Sequence, residues 1–217
     1  MTTPTAPRKP RRDALENRAC ILTAAVETLA VDPHASLDAI ARVAGVSRRT
    51  LYGHFADRDS LISELISSGA QRFNDIAARV DDTDARVALA RLTALLWNEA
   101  AAVQVAAAIA LDEAHVSQTA AALAPLRAQV LAMVERGQAA GTLRTDMPAP
   151  VLARLVEEAA RAVVTRLDAT TPDATGLAVR TVLGVAGLSW REAIALIDGH
   201  PELELDSGRQ SDMKETD

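Results

Sequence analysis

The run Ser36 to Arg58, SLDAIARVAGVSRRTLYGHFADR, constrains this chain more than any other stretch. Ser36 stands where a side-chain oxygen can cap a helix. Leu37, Ile40, Ala41 and Ala44 then line one helical face, and Gly45 stops it. Two residues later Ser47 caps another helix, a very short one holding Leu51 and Phe55. Helices this close in sequence need a sharp turn, and the arrangement is helix-turn-helix spacing. Gly45 supplies a positive φ without a Cβ clash. Ala41 has to be small where the second helix crosses it, and Ile40, Ala44, Val46 and Leu51 form the shared core. The second helix is left exposing Arg48, Arg49, Thr50, Tyr52 and His54, donors with the reach for phosphates and base edges.

The flanks read as helix throughout. Pro4, Pro7 and Pro10 among threonines and basic residues suggest a disordered arm. A first helix is expected from about Asp13, with Leu15, Ala19, Leu22, Val26 and Leu29 on one face. Asp32-Pro33-His34 ends it, because the residue before proline avoids the helical region. Asp57 caps a long fourth helix, where Leu61 to Val80 keep helical spacing up to the Asp81–Asp84 cluster. Further helices are expected at about 84–99, 101–116, 118–140, 148–169, 174–188 and 190–198. Their breakers are Gly141-Thr142, Met147-Pro148, Thr171-Pro172 and Gly199-His200-Pro201. Pro125 inside one of these stretches should kink or interrupt it. Residues 206–217 are polar and read as disordered. No segment alternates with period two for long enough to make a strand, so the fold class is all-α.

Composition narrows the function. About a fifth of the 217 residues are alanine, which favours helix. Aromatics are 2%, so the core has to be aliphatic and small. A single cysteine, Cys20, excludes an internal disulfide framework and a cysteine zinc site, and its aliphatic surroundings suggest a buried small side chain. No apolar run reaches the roughly 18 residues of a membrane span, and no secretory signal is visible, so the cytoplasm is the expected home. Net charge is −6, which argues against an evenly basic nucleic-acid binder. The charge is divided, however. Residues 1–60 carry nine Lys or Arg and seven Asp or Glu, leaving the remainder at −8. Arg8, Lys9, Arg11 and Arg12 precede the first acidic residue. A basic end on an acidic body suits a small nucleic-acid module attached to a larger domain.

The residues of the turn carry a family resemblance. Ile40-Ala41, Ala44-Gly45-Val46-Ser47, Thr50-Leu51-Tyr52, His54-Phe55, then Arg58 and Leu61, resemble the signature of the TetR family of bacterial transcriptional regulators. Two departures stand out: Arg58 replaces the lysine common after the aromatic, and Gly53 costs the short helix about 1 kcal/mol relative to alanine. The resemblance implies an N-terminal three-helix helix-turn-helix DNA-binding domain over 12–58. It implies a C-terminal helical bundle for ligand binding and dimerisation over 59–205. Carried over by position, Arg48 and Arg49 would read base edges in the major groove. Ser47, Thr50, Tyr52, His54 and Arg58 would hold phosphates, Ser36 would set the second helix near the backbone, and Arg11 and Arg12 could add contacts. The implied partners are a palindromic double-stranded operator, a second copy of the chain and a small-molecule effector that releases a repressor. No cofactor, metal or membrane is implied.

For the dimer, the apolar faces expected are Leu152, Leu155, Val156, Ala159, Val163 and Leu167 on one helix, with Leu177, Val182, Val185 and Leu188 on the next. For the ligand, the candidates are the rare larger or polar groups in the alanine-rich body: Trp97, Gln104, Asp112, His115, Met133, Glu158 and Arg161. Surface position or plain packing is the competing reading for each. Phe55 reads as core, and His54 taken alone reads as a solvated side chain. Two other functions compete. An all-α enzyme would need a phosphate loop, an HExxH pair or a nucleophile signature, and none is present. A scaffold that kept the fold without binding DNA would be separated by an operator-binding assay.

Overall fold

A computed structural model describes residues 9–101, 115–168 and 170–203. Every regular element among them is helical. The order is α1 (Lys9–Val31), α2 (Leu37–Val43), α3 (Arg48–His54), α4 (Arg58–Ala77) and α5 (Ala85–Ala101), then α6 (Val116–Ala122) and α7 (Ala124–Ala139). After these come α8 (Ala149–Arg166), α9 (Ala174–Ala186), α10 (Trp190–Asp198) and a 3₁₀ turn at Pro201–Leu203. Pro125 falls in the first turn of α7, where its missing N–H costs nothing, and the expected 118–140 helix is two helices meeting at Leu123. The helix expected at 101–116 lies almost wholly outside the described residues.

Helix α1 departs from expectation in phase. It begins at Lys9, ahead of Asp13. Its buried residues are Ile21, Ala24, Ala25 and Leu29, whereas Leu15 is 69% exposed and Ala19 is also exposed. Two apolar stripes interleave on this helix, and only the one facing α2 and α4 is covered. Leu15 and Ala19 lie off the covered stripe and face outward. Cys20 belongs to the same outward side and is exposed, not buried as its neighbours suggested.

Two cores result. The smaller joins Ile21 and Ala25 of α1, Leu37, Ile40 and Ala41 of α2, Leu51 of α3, then Phe55 and Leu61. The larger joins Leu89 and Leu92 of α5, Val130, Met133 and Val134 of α7, Leu152 and Val156 of α8, and Val179, Val182 and Leu183 of α9. Helix α5 runs through its middle, with Ala88, Ala90 and Ala94 fully buried. Alanine there lets α9 approach closely, which is how an alanine-rich, aromatic-poor chain reaches native packing density. Thr93 is buried as well, and its hydroxyl donates to the Leu89 carbonyl at 2.7 Å.

Helix α4 belongs to both cores. Leu61, Ile62 and Ile66 pack among the first three helices, and Phe73, Ile76 and Ala77 pack against the bundle. A movement of bundle helices against α4 therefore reaches the helix-turn-helix through one rigid element.

The apolar faces of α8 and α9 also need correction. Leu152, Val156 and Val182 are core, and Val185 and Leu188 pack half-buried against it. An amphipathic helix turns its most continuous apolar stripe towards its own domain. The large apolar side chains left outward are Val151 and Leu155 on α8 and Leu177 on α9.

Candidate nucleic-acid interface

Seven residues are too few to hold a helix in water unaided, so α3 depends on its ends and its packing. At its start the Ser47 hydroxyl oxygen accepts from the Thr50 backbone N–H at 3.0 Å and lies 2.8 Å from the Thr50 hydroxyl. In its middle Leu51 is fully buried, and Phe55 closes the end at 2% exposure. The approach from α2 is equally local. The Ser36 hydroxyl accepts from the Ala39 N–H at 3.2 Å, and Gly45 sits at φ +66°. Any other residue at Gly45 would be strained, although a Cβ there would meet open space. Replacing Ser47 by alanine should cost about 1 kcal/mol of stability and fray the first turn of α3. Thermal unfolding of the variant measures this, and an unchanged midpoint would show the cap to be dispensable.

The exposed face of α3 carries Arg48, Arg49 and Tyr52, with Thr50 and His54 half-buried at its edges. Tyr52 is 49% exposed, a large apolar ring left in water. The His54 ring lies 6.4 Å from that of Phe55. The two arginines differ. Arg49 has no partner among the described residues, so its guanidinium is open to a ligand. Arg48 is paired with Asp38 of α2. Its Nε donates to Asp38 Oδ1 at 2.5 Å, and Nη2 meets Oδ2.

Arg58 is also engaged, and by backbone. Its Nη1 donates to the Ala35 carbonyl and its Nη2 to the Pro33 carbonyl, each at 2.5 Å. It ties the start of α4 to the turn between α1 and α2. Three further groups escaped notice in the sequence. Asp38 is the first. Arg18 stacks over the Phe55 ring at 4.8 Å and pairs with the third, Glu64, at 3.1 Å. Arg11 and Arg12 fall in the opening turn of α1.

Among the described residues the ligand candidates fall in different surroundings, with Glu158 and Arg161 alone as neighbours. Trp97 is buried against Ala174 and Ala178, with Val163, Val164 and Leu167 beside it. Met133 is in the main core. Glu158 and Arg161 lie on the exposed side of α8, 4.0 Å apart, and His115 is half-buried just before α6. Gln104 and Asp112 lie outside the described residues. What the structure does show is an open cleft of about 570 Å³ at the far end of the bundle, lined by Arg86, Leu143, Arg144, Glu192 and His200 among others. Its arginines are already matched: Arg86 meets Asp84 at 2.6 Å, and Arg144 meets Asp146 at 2.6 Å. The Arg86 guanidinium, by its hydrogen bonds, holds the Asp84 carboxyl below the usual aspartate range.

Residues 21–65 match the model of the bacterial regulatory proteins of the tetR family. Over that stretch the chain carries a tetR-type N-terminal domain, the domain of a class of bacterial regulatory proteins. Solved structures extend the likeness to the whole fold. A tetR-family regulatory protein from Rhodococcus RHA1 superposes with a TM-score of 0.66 at 19% identity, covering 80% of this chain and 98% of that one. FadR from Bacillus halodurans, a fatty acid degradation regulator, gives 0.68 at 19% identity, covering 85% and 97%. FadR from Bacillus subtilis, solved with stearoyl-CoA, gives 0.67 at 15% identity, covering 78% and 97%. At these identities the likeness concerns fold. No curated protein sequence matches the chain. No helix among the described residues is long and apolar enough to cross a membrane.

Proposed function

We propose that the chain is a cytoplasmic repressor that binds a palindromic operator as a homodimer and is released by a small molecule held in its C-terminal helices. The observation that carries the DNA-binding part is the surface of α3. Arg49 and Tyr52 stand exposed on a capped, buried-core helix beside Arg48. A rigid helix presenting guanidinium groups outward suits the major groove, where arginine makes paired hydrogen bonds to guanine O6 and N7. In this reading Arg48 and Arg49 face bases. Thr50, Tyr52, His54 and the hydroxyls of Ser36 and Ser47 lie towards phosphates, while Arg58 reaches a phosphate only by leaving the Pro33 and Ala35 carbonyls.

The division at 58/59 falls at the start of α4, so the two functions share that helix. Val151, Leu155 and Leu177 are uncovered apolar side chains on α8 and α9, and their exposure supports a second copy meeting the chain there. Two-fold pairing would present two α3 helices to two half-sites about one helical turn apart. The stearoyl-CoA bound to the B. subtilis FadR supports a small-molecule effector for a protein of this fold.

The test is selection of bound sequences from random duplex DNA by the full chain, repeated with a panel of metabolites. An enriched inverted repeat, lost when one metabolite is added, is the expected outcome. Enrichment of no sequence would contradict DNA reading, and a single unrepeated half-site would contradict the dimer.

A further inference from the structure

Arg48 is 71% exposed at its side chain while paired to a carboxylate through both Nε and Nη2. A guanidinium has five N–H donors in a planar fork. The Asp38 carboxylate takes the edge formed by Nε and Nη2, which leaves one hydrogen on Nη1 and one on Nη2 pointing away at the end of the side chain. That free end is the edge that grips a guanine O6 and N7. The Asp38 side chain is 33% exposed and sits in the first turn of α2, a helix held by the Ser36 cap and the buried Leu37, Ile40 and Ala41. The anchor is thus more rigid than the group it holds. Arg49, next along, has no such partner among the described residues.

We propose that Asp38 is a positioning residue for base recognition: it fixes the Arg48 guanidinium in the plane in which it reads one base pair. This rests on the reading of α3 as the groove-facing helix. A free arginine side chain carries a large rotamer entropy, much of which is lost when it docks. Held by Asp38, Arg48 has given up part of that freedom before DNA arrives. The carboxylate also narrows choice. It would face the exposed acceptors of a wrong base with like sign if the arginine turned aside, so a mismatch leaves a charge uncompensated. Arg49 is unheld, so its discrimination at its own position does not depend on Asp38.

Asp38 also lies near the positive end of the α2 helix dipole, a role that would stabilise the helix without touching sequence preference. The experiment separates the two. Sequence selection is run on the wild-type chain, Asp38→Asn, Arg48→Ala and the double variant, with thermal unfolding of each. Asp38→Asn is expected to lower discrimination about tenfold at the base pair that Arg48→Ala flattens. It should leave other positions unchanged and bind random duplex no more weakly, since a negative charge has been removed near phosphate. The double variant should discriminate no worse than Arg48→Ala alone. Full discrimination in Asp38→Asn, losses that add in the double variant, or an unaltered consensus in Arg48→Ala would each overturn the proposal. A wild-type chain that selects no sequence would overturn the DNA-reading function beneath it, which is a different and recognisable failure.

Discussion

Phe55→Ala is expected to abolish operator binding while leaving the bundle folded. Phe55 is 2% exposed, and it closes a core of only eight buried residues, two of them alanine. Truncating a buried phenylalanine costs about 3–5 kcal/mol, which approaches the whole stability of a small unit. The ring also supports Arg18, stacked on it at 4.8 Å, and through Arg18 the contact to Glu64 on α4. The loss should unravel α3 first, because a seven-residue helix without its core contact has little else. The main core around α5 shares no residue with this cluster. Circular dichroism should therefore show a low-temperature transition of modest amplitude ahead of the main one. A single transition at the wild-type midpoint would show that the small core does not depend on Phe55.

Arg49→Ala is expected to leave the fold intact and remove sequence discrimination of about 1–3 kcal/mol at one base pair. The residue is exposed and has no partner among the described residues, so its loss strands nothing. Binding to random duplex should fall far less than binding to the operator, because most nonspecific affinity comes from phosphate neutralisation. Competition between the two duplexes at fixed salt reads the ratio directly. An unchanged ratio would remove Arg49 from base recognition.

Much of the helix-turn-helix was legible because its determinants are local. Ser36, Ser47 and Asp57 each cap with a backbone N–H three residues on, and Gly45 stands two residues past the end of α2 with positive φ. Such contacts are written within a few positions of sequence. The phase of α1 was not legible, because Leu15 and Ala19 repeat as well as Ile21 and Ala25, and only the position of α2 and α4 chooses between them. The same holds for charge. Arg48 and Asp38 are ten positions apart, and Arg58 reaches carbonyls more than twenty positions back. Rarity alone does not separate a ligand site from packing or from surface. Trp97 and Met133 stand out in an alanine-rich body because they fill its core, and Glu158 and Arg161 because they face water.

In the proposed function, coupling to a ligand would run through α4. Its first residue grips the Pro33 and Ala35 carbonyls, its first turns carry Leu61 and Ile62 into the small cores, and its last turns join the bundle. A ligand shifts α3 only to the extent that it prefers one setting of this helix over another. Such coupling would need no contact between the ligand and α3.

The most direct test of α3 as a groove-reading helix is methylation interference on the selected duplex with the full-length chain. Guanine N7 lies in the major groove and adenine N3 in the minor. Blocking of binding by N7 methylation at guanines in two half-sites, about one helical turn apart, is the predicted result. Interference confined to adenine N3, or binding indifferent to both modifications, would contradict it.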